Sequence, residues 1–195
     1  MLEQISKKFA CKLINAGIIA EEDEDVYIYG FFQACMMLFN IGTTLFLGII
    51  FQLLIPCIIL NATFIPLRIN AGGHHADSPV KCYINSTLKI AALLAIVKWI
   101  SIHPSVLTAL VIITAIVNII FAPVETANNT LDEKETVVYR KRTMIILAIE
   151  VILFFLSLLF LERWISKTMA LGMISECLLV VLGVLNNVGI LKKNK

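Results

Sequence analysis

Long apolar runs alternate with short polar segments along the 195 residues of this chain. A membrane-spanning helix needs about 20 consecutive, mostly apolar residues, so the apolar run over residues 26–65 is too long for one span. We place its turn in the segment FNIGTT, residues 39–44. The pattern then predicts six spans, near residues 27–42, 45–65, 83–101, 105–122, 143–161 and 168–191. Four spans are the alternative, if some apolar segments are re-entrant.

The first 25 residues form an amphipathic segment. Its apolar residues recur at helical spacing and include Leu2, Ile5, Phe9, Leu13 and Ala16. The pattern predicts a helix that lies in the membrane interface, with its lysines near anionic lipid headgroups. The alternative is an amphipathic helix packed on the protein's own loops. A continuous apolar core is lacking and the acidic run EEDED follows, so the segment is not a cleavable signal peptide.

Composition supports a membrane protein. The chain is 59% hydrophobic and 15% charged, and its mean hydropathy is +0.90. Soluble domains have about 25% charged residues. We therefore predict an all-α, polytopic membrane protein with about six transmembrane helices. A single membrane-embedded domain over residues 1–195 would comprise an amphipathic part, 1–25, and a transmembrane part, 26–195.

The basic residues are distributed asymmetrically about the predicted spans. If both termini are cytoplasmic, the segments on that side hold 13 of the 16 lysines and arginines, and only Lys98, Arg163 and Lys167 fall on the other side. Lys89 counts as cytoplasmic only if its side chain extends back along its helix to the surface. Because cytoplasmic loops are enriched in Lys and Arg, we predict a multi-pass cell-membrane protein with both termini and the polar loop 66–82 in the cytoplasm.

The polar segment RINAGGHHADSPVKC, residues 68–82, contains the candidate chemistry. Its last residues are typical of a helix start: Ser78 can cap and Pro79 suits the first helical position. Cys82 then lies in the first turn. Unpaired backbone N–H groups, the helix dipole and the neighbouring Lys81 all favour the thiolate, which is the nucleophilic form of cysteine.

His75 precedes Cys82 by seven residues. On one continuous helix that separation is about 10.5 Å of rise, so a contact between the two side chains requires a non-helical link. Pro79 disfavours helical geometry at the residue before it, and the two glycines before the histidines provide a second flexible point. We predict that His75 acts as the base for a Cys82 nucleophile.

Three alternatives remain for this segment. It could be a plain inter-helix loop with an inert cysteine. It could form a metal site from His74, His75, Asp77 and Cys82, although adjacent histidines are poor partners for one ion and no second Cys/His cluster completes a zinc site. It could also be a headgroup- or ligand-binding loop that uses Arg68, Lys81 and the glycines. We expect neither a metal nor a cofactor.

The string Arg68-x-x-Ala-Gly-Gly-x-His75, followed by Cys82, resembles the signature of the AgrB family (accessory gene regulator B). These bacterial membrane peptidases process quorum-sensing propeptides, and the seven-residue interval from His to Cys is the family's. The resemblance extends to the basic amphipathic N-terminus and to a basic cluster before the fifth span. It also includes YGFFQ, residues 29–33, and FAPVETANNTL, residues 121–131.

The resemblance implies a reaction. AgrB-like proteins remove the C-terminal part of an AgrD-like propeptide on the cytoplasmic side through a cysteine acyl-enzyme. An internal Cys or Ser of the peptide then attacks the thioester and closes a thiolactone or lactone ring. Carried over, Cys82 is the nucleophile and His75 the base that later acts as acid, while Arg68 and Gly73 match positions tied to activity. A possible homodimer and a Gram-positive source are further implications, and no nucleic-acid partner is expected.

Other polar residues lie within or near the predicted spans. Gln33 lies near the cytoplasmic end of the first span, where its amide could stabilise an oxyanion or orient His75; the alternative is a hydrogen bond to another helix. Backbone N–H groups at the start of the Cys82 helix are further oxyanion donors. Glu150 and Glu176 fall within predicted spans, where they could line a substrate cavity or stay protonated, and Asn118 is interpreted as an inter-helix hydrogen-bonding residue.

The loop over residues 125–142 is predicted to be a cytoplasmic surface loop that could bind the acidic C-terminal part of a propeptide. The alternative is a solvated connection anchored at the membrane by residues 140–142. Two other functions compete with peptidase activity: a peptide exporter without catalysis, and a membrane scaffold. A transporter would have several polar residues along one pore and internal repeats, and no convincing repeat is present in this sequence.

Overall fold

The computed structural model describes residues 2–73, 79–125 and 131–193, and these residues form seven α-helices without a β-strand. The helices are α1 Leu2–Asn15, α2 Glu24–Ile50, α3 Leu54–Ala71, α4 Pro79–Trp99, α5 Pro104–Phe121, α6 Glu133–Phe160 and α7 Arg163–Lys193. A 3-10 turn, Glu21–Asp23, precedes α2. Each of α2 to α7 contains a segment long and apolar enough to cross a membrane. The predicted all-α architecture with six spans is confirmed.

The predicted turn at residues 39–44 is wrong. Helix α2 continues through this segment to Ile50, and the chain reverses at residues 51–53, where Gln52 has a φ of 59°. The polar residues in FNIGTT are compatible with a helix because the hydroxyls of Thr43 and Thr44 donate to carbonyl groups of the preceding turn, at 3.0 and 2.9 Å. Hydrogen bonds of this kind make a short polar segment inside a span a poor turn signal.

The predicted polar loop 66–82 is shorter in the structure. Helix α3 runs past Pro66 to Ala71, and α4 begins at Pro79. Helix α3 therefore continues through a proline, and the side-chain amide of Asn70 donates to the carbonyl of Pro66 at 2.8 Å. The start of α4 at Pro79 confirms the predicted position of that helix.

The N-terminal helix α1 packs against α2. The rings of Phe9 and Phe31 stack with centroids 4.2 Å apart, and Ser6 and Ala10 are buried, while Ile5 and Phe9 still expose apolar surface. The predicted amphipathic helix is therefore present, and one face of it is covered by the first span.

Opposite ends of the bundle are held by different contacts. At the end of α2, α4 and the start of α7, the ammonium of Lys98 donates to the carbonyl of Phe51 at 2.9 Å, and the ammonium of Lys167 donates to Val97 and Ile100 at 2.7 and 3.1 Å. These lysines cap helix carbonyls that have no partner within their own helices. The other end, where α3 and α5 finish and α4 and α6 begin, carries Cys82; we call it the site face.

Helix α7 is the central span. It is the most buried of the six, and it packs closely on α3: a Cβ added to Gly172 would overlap the side chain of Thr63. The largest core cluster joins α3, α5, α6 and α7 and includes Leu67, Val111, Phe154 and Met173. Because α3 and α7 are in close contact, polar groups on their facing sides share one environment.

On the site face, the backbone at the end of α3 is fixed between two neighbours. The N–H of Val124 donates to the carbonyl of Ala71 at 2.9 Å, and the N–H of Gly73 donates back to the carbonyl of Val124 at 3.2 Å. Gly72 and Gly73 have φ values of 73° and 101°, which side chains rarely adopt. A Cβ on Gly73 would lie 2.6 Å from the carbonyl oxygen of Leu179 in α7.

We call this arrangement of Gly72, Gly73, Val124 and Leu179 the glycine clamp. The sequence predicted a flexible point at these glycines, whereas the structure fixes both of them in contact with α7 and with the chain after α5. The conformation still requires glycine, but it does so for close packing and positive φ. The clamp sets where the chain leaves α3 on its way to α4.

The clamp predicts that Gly73→Ala destabilises the protein. A side chain at this φ is strained and its Cβ collides with the backbone of α7, so we expect a loss of about 1–3 kcal/mol in the free energy of unfolding. Thermal unfolding in detergent measures the loss. Gly189→Ala is the matched control, because nothing lies within 4 Å of a Cβ at that glycine. Equal unfolding temperatures for the two variants would contradict the clamp.

Candidate active site

Cys82 lies in the first turn of α4 with its thiol free and its side chain exposed. Helix α4 is positioned by hydrogen bonds to α2: the hydroxyls of Thr43 and Tyr83 are 2.7 Å apart, and the amide of Asn40 donates to Ser86. These two contacts involve residues of α4 that follow Cys82 by one and four positions. The structure thus places the predicted nucleophile at a helix start on the site face.

Several predicted residues lie outside the described residues. They are His74, His75, Asp77 and Ser78, which belong to the segment 74–78 between α3 and α4. The predicted contact between His75 and Cys82 and the predicted cap at Ser78 therefore remain predictions. Within the described ranges, no group of three or more His, Cys, Asp or Glu side chains is arranged to hold a metal ion.

Arg68 connects the glycine clamp with Cys82. It lies in the last turn of α3, and its guanidinium donates to the carbonyl of Gly72. A Cβ on Gly73 would be 3.0 Å from the same guanidinium. Arg68 also interacts electrostatically with Cys82 and with Glu176 of α7. Two of the predicted site residues, Arg68 and Gly73, therefore lie together at the clamp, and Arg68 adds a positive charge near the thiol.

Lys89 is a second cation on the helix that carries Cys82, and sequence reasoning did not include it in the site. It follows Cys82 by seven residues, or about two helical turns, so both side chains lie on one side of α4. Its ammonium lies 3.4 Å from the centroid of the Phe64 ring in α3, and it interacts electrostatically with Cys82, Arg68 and Glu176. The spacing of seven was the signal that could have revealed it.

The position of Lys89 also changes the charge count. The sequence analysis assigned Lys89 to the cytoplasmic surface on the condition that it extends to the helix end. Its ammonium instead lies over Phe64 within the span. Twelve of the 16 basic residues then remain on the site-face side by sequence, against Lys98, Arg163 and Lys167 on the other, so the asymmetry persists.

A buried polar pair joins α5 to α7. Asn118 of α5 and Glu176 of α7 are both fully buried. The amide of Asn118 donates to Glu176 at 3.2 Å and to the carbonyl of Thr114 at 3.1 Å. The inter-helix role expected for Asn118 is thus observed. Glu150 of α6 is also buried and lines a cavity of about 400 Å³ with apolar residues of α3, α6 and α7.

Gln33 lies apart from this cluster. Its side chain is exposed, and its amide donates to the hydroxyl of Tyr29 at 2.8 Å, one turn earlier on α2. Among the described residues, no contact joins Gln33 to Cys82. The hydrogen bond also lies within one helix, not between helices as the alternative interpretation had it. Its predicted role as an oxyanion donor stays a prediction.

The predicted loop 125–142 is largely helical in its second half. Helix α6 begins at Glu133 with a capping box, in which Asp132 and Glu135 bond each other's backbone N–H groups. The basic residues 140–142 therefore lie on α6, and Arg140 donates to the carbonyl of Ile119 at 3.2 Å. Residues 126–130 lie outside the described residues. The sequence analysis placed the start of this helix too late because charged residues precede the apolar run.

The site face therefore combines an exposed thiol, two nearby cations and a rigid backbone clamp. Comparison with known proteins gives one result: residues 6–180 match the AgrB family, accessory gene regulator B. Searches of curated proteins and of solved structures returned no match. The matched region runs from α1 into α7 and includes Cys82. This chain belongs to the AgrB family, whose membrane proteins process the propeptides of agr-type quorum sensing.

Proposed function

We propose that this chain is a membrane cysteine endopeptidase that cleaves the C-terminal part from an AgrD-like propeptide through an acyl-enzyme on Cys82. The observation that carries the proposal is the exposed, free thiol in the first turn of α4. Arg68 and Lys89 interact with this thiol electrostatically. A helix start and neighbouring cations both stabilise a thiolate. The other four cysteines lack this combination of position and cations.

His75 is the proposed general base. It follows Gly73 by two residues, so covalent geometry keeps its Cα within about 7 Å of the Cα of Gly73. Gly73 is fixed by the clamp, and Arg68, which contacts the clamp, interacts electrostatically with Cys82. The imidazole is therefore tethered two residues from a backbone position that the clamp fixes. This connectivity supports the pair of Cys82 and His75.

The proposed reaction begins with transfer of the Cys82 proton to His75. The thiolate attacks the scissile carbonyl, and the resulting oxyanion faces the backbone N–H groups at the start of α4, with Arg68 and Lys89 as nearby positive charges. Collapse of this intermediate breaks the peptide bond, and the imidazolium gives its proton to the leaving amine. The N-terminal part of the propeptide remains attached to Cys82 as a thioester.

Ring closure completes the cycle. An internal Cys or Ser of the bound peptide loses its proton to His75 and attacks the thioester carbonyl. The Cys82–carbonyl bond breaks, the thiolate regains the proton, and a thiolactone or lactone leaves. Exchange of one thioester for another conserves the bond type, so a thiolactone needs no external energy source. The attack is intramolecular and is favoured over hydrolysis when the peptide's nucleophile is held near the thioester.

The same proposal includes the orientation of the chain. We place the site face and both termini in the cytoplasm, because most Lys and Arg residues lie on that side of the spans. The family resemblance adds a Gram-positive source to the proposal. At the opposite end, Lys98 and Lys167 bond backbone carbonyls. The proposal also includes a homodimer, which the family resemblance implies.

Co-expression with a candidate AgrD-like propeptide tests the catalytic pair. Cys82→Ala should abolish release of the C-terminal fragment because no acyl-enzyme can form. His75→Ala should slow release by about 10²- to 10⁴-fold because the general base is lost. Cys11→Ala and His74→Ala are matched controls and should retain cleavage. The fragment is measured by mass spectrometry. Cleavage by Cys82→Ala would refute the cysteine endopeptidase acting through Cys82, and equal cleavage in cells that lack this protein would favour an exporter or a scaffold.

Labelling of single cysteines on intact cells tests the orientation. One variant keeps Cys82 as its only cysteine, and a second lacks all native cysteines and carries Gln52→Cys in the exposed turn at the opposite end. A membrane-impermeant maleimide should label the Gln52→Cys variant on intact cells and Cys82 only after the membrane is opened. Labelling of Cys82 from outside intact cells would reverse the proposed orientation.

A further inference from the structure

Glu176 has an unusual environment for a carboxylate. It is fully buried in α7, the central span. One of its oxygens accepts a hydrogen bond from Asn118 at 3.2 Å, and the other has no hydrogen-bond partner within the described part of the chain. An ionisable group inside a membrane protein is costly and normally has a partner of opposite charge. The groups around Glu176 therefore decide its role.

Two cations on neighbouring helices are part of the electrostatic environment of Glu176. Arg68 of α3 and Lys89 of α4 both interact electrostatically with it, and both also interact with Cys82. From α6, Glu150 interacts with Glu176 as a like charge, and α5 contributes the neutral Asn118. Among the described residues, the two cations thus carry the charge opposite to that of Glu176, and both interact electrostatically with the thiol as well.

The backbone geometry agrees with this arrangement. The guanidinium of Arg68 lies at the glycine clamp, where Gly73 meets the carbonyl of Leu179. Leu179 and Glu176 are three residues apart on α7, so they are neighbours on one side of the helix. Lys89 approaches from α4 and is held over Phe64 of α3. Glu176 therefore lies about one helical turn deeper than the clamp.

We propose that Glu176 is a positioning residue for the candidate active site. Its carboxylate, oriented by Asn118, is the counter-charge that holds the guanidinium of Arg68 and the ammonium of Lys89, the two cations that interact electrostatically with Cys82, in their positions. This inference rests on the proposed function of Cys82. It concerns how the two cations are retained, since Glu176 itself does not touch the reacting atoms.

Charge balance gives the physical reason. Two cations in a low-dielectric interior repel each other and lose hydration. The carboxylate of Glu176 reduces the summed charge of this cluster to a single positive unit. The Cys82 thiolate or the oxyanion then brings the cluster to neutrality at the moment when negative charge develops. Without Glu176, Arg68 and Lys89 would separate toward water or other acceptors, and the negative charge at Cys82 would lose its stabilising partners.

Two substitutions separate charge from shape. Glu176→Gln keeps the size of the side chain and an oxygen that accepts from Asn118, but it removes the charge. We expect propeptide cleavage to fall by about 10- to 100-fold because the cations are misplaced. Glu176→Asp shortens the side chain but keeps the charge, and it should cleave faster than Glu176→Gln. A role in packing alone predicts the reverse order, with Glu176→Gln the more active, and that order would overturn the proposal.

A double-mutant cycle identifies the partner of Glu176. If Glu176 acts through Lys89 and Arg68, Lys89→Met and Glu176→Gln together should lose less activity than the product of their separate losses. Losses that multiply would contradict the proposal. Glu150→Gln is the matched control: it neutralises a second buried carboxylate, which has no hydrogen bond within the described residues, and should retain most of the wild-type rate. A loss equal to that of Glu176→Gln would also count against it.

Rates are compared for purified protein of matched thermal stability and a single elution peak in detergent, so that misfolding does not enter the comparison. The Cys82→Ala variant keeps the two proposals distinguishable. Cleavage by Cys82→Ala would refute the endopeptidase proposal and with it the role of Glu176. Wild-type cleavage by Glu176→Gln, beside an inactive Cys82→Ala, would refute only the role of Glu176.

Discussion

The close approach of Gly73 to the carbonyl of Leu179 is the contact on which the rest of the site face depends. It presses the end of α3 against α7, while paired hydrogen bonds join Gly73 and Ala71 to Val124 after α5. Three spans are thereby fixed to one another at a single level. Because Arg68 bonds the clamp and the chain toward α4 departs from it, the same contact sets the position of a cation and the starting point of the segment that carries His75.

Polar groups inside a membrane-embedded fold need partners within the protein. Hydrocarbon offers no hydrogen bonds, so buried polar groups must be satisfied within the protein. At one end of the bundle, lysine side chains bond free helix carbonyls, which is a structural use of charge. At the site face, Arg68 and Lys89 interact electrostatically with both Cys82 and Glu176. The proposed chemistry thus takes place at Cys82, where two cations interact with both the thiol and the buried carboxylate of Glu176.

Much of the architecture follows from sequence patterns. Length and apolarity predicted six spans, and Pro79 marked the start of α4 because proline suits a first helical position. Local signals were less reliable inside spans: FNIGTT was interpreted as a turn, yet the hydroxyls of Thr43 and Thr44 bond carbonyls within α2, and the span predicted to end near residue 65 continues to Ala71. The pairing of Asn118 with Glu176 and the contact of Lys89 with Phe64 arise from packing between helices distant in sequence, and no local pattern specifies these partners. The family signature selected Cys82, Arg68 and Gly73 as candidates, while the clamp supplies a physical reason for the glycine.

The central claim is that Cys82 carries the propeptide as a thioester. Intact-mass analysis of the purified protein tests it most directly, with an AgrD-like propeptide whose internal Cys or Ser is replaced by Ala so that ring closure cannot remove the acyl group. The account predicts a mass gain equal to the N-terminal part of the propeptide, mapped to Cys82 and released by hydroxylamine. Cleavage of that propeptide with no adduct on Cys82 in acid-quenched samples, or an adduct on another residue, would contradict it.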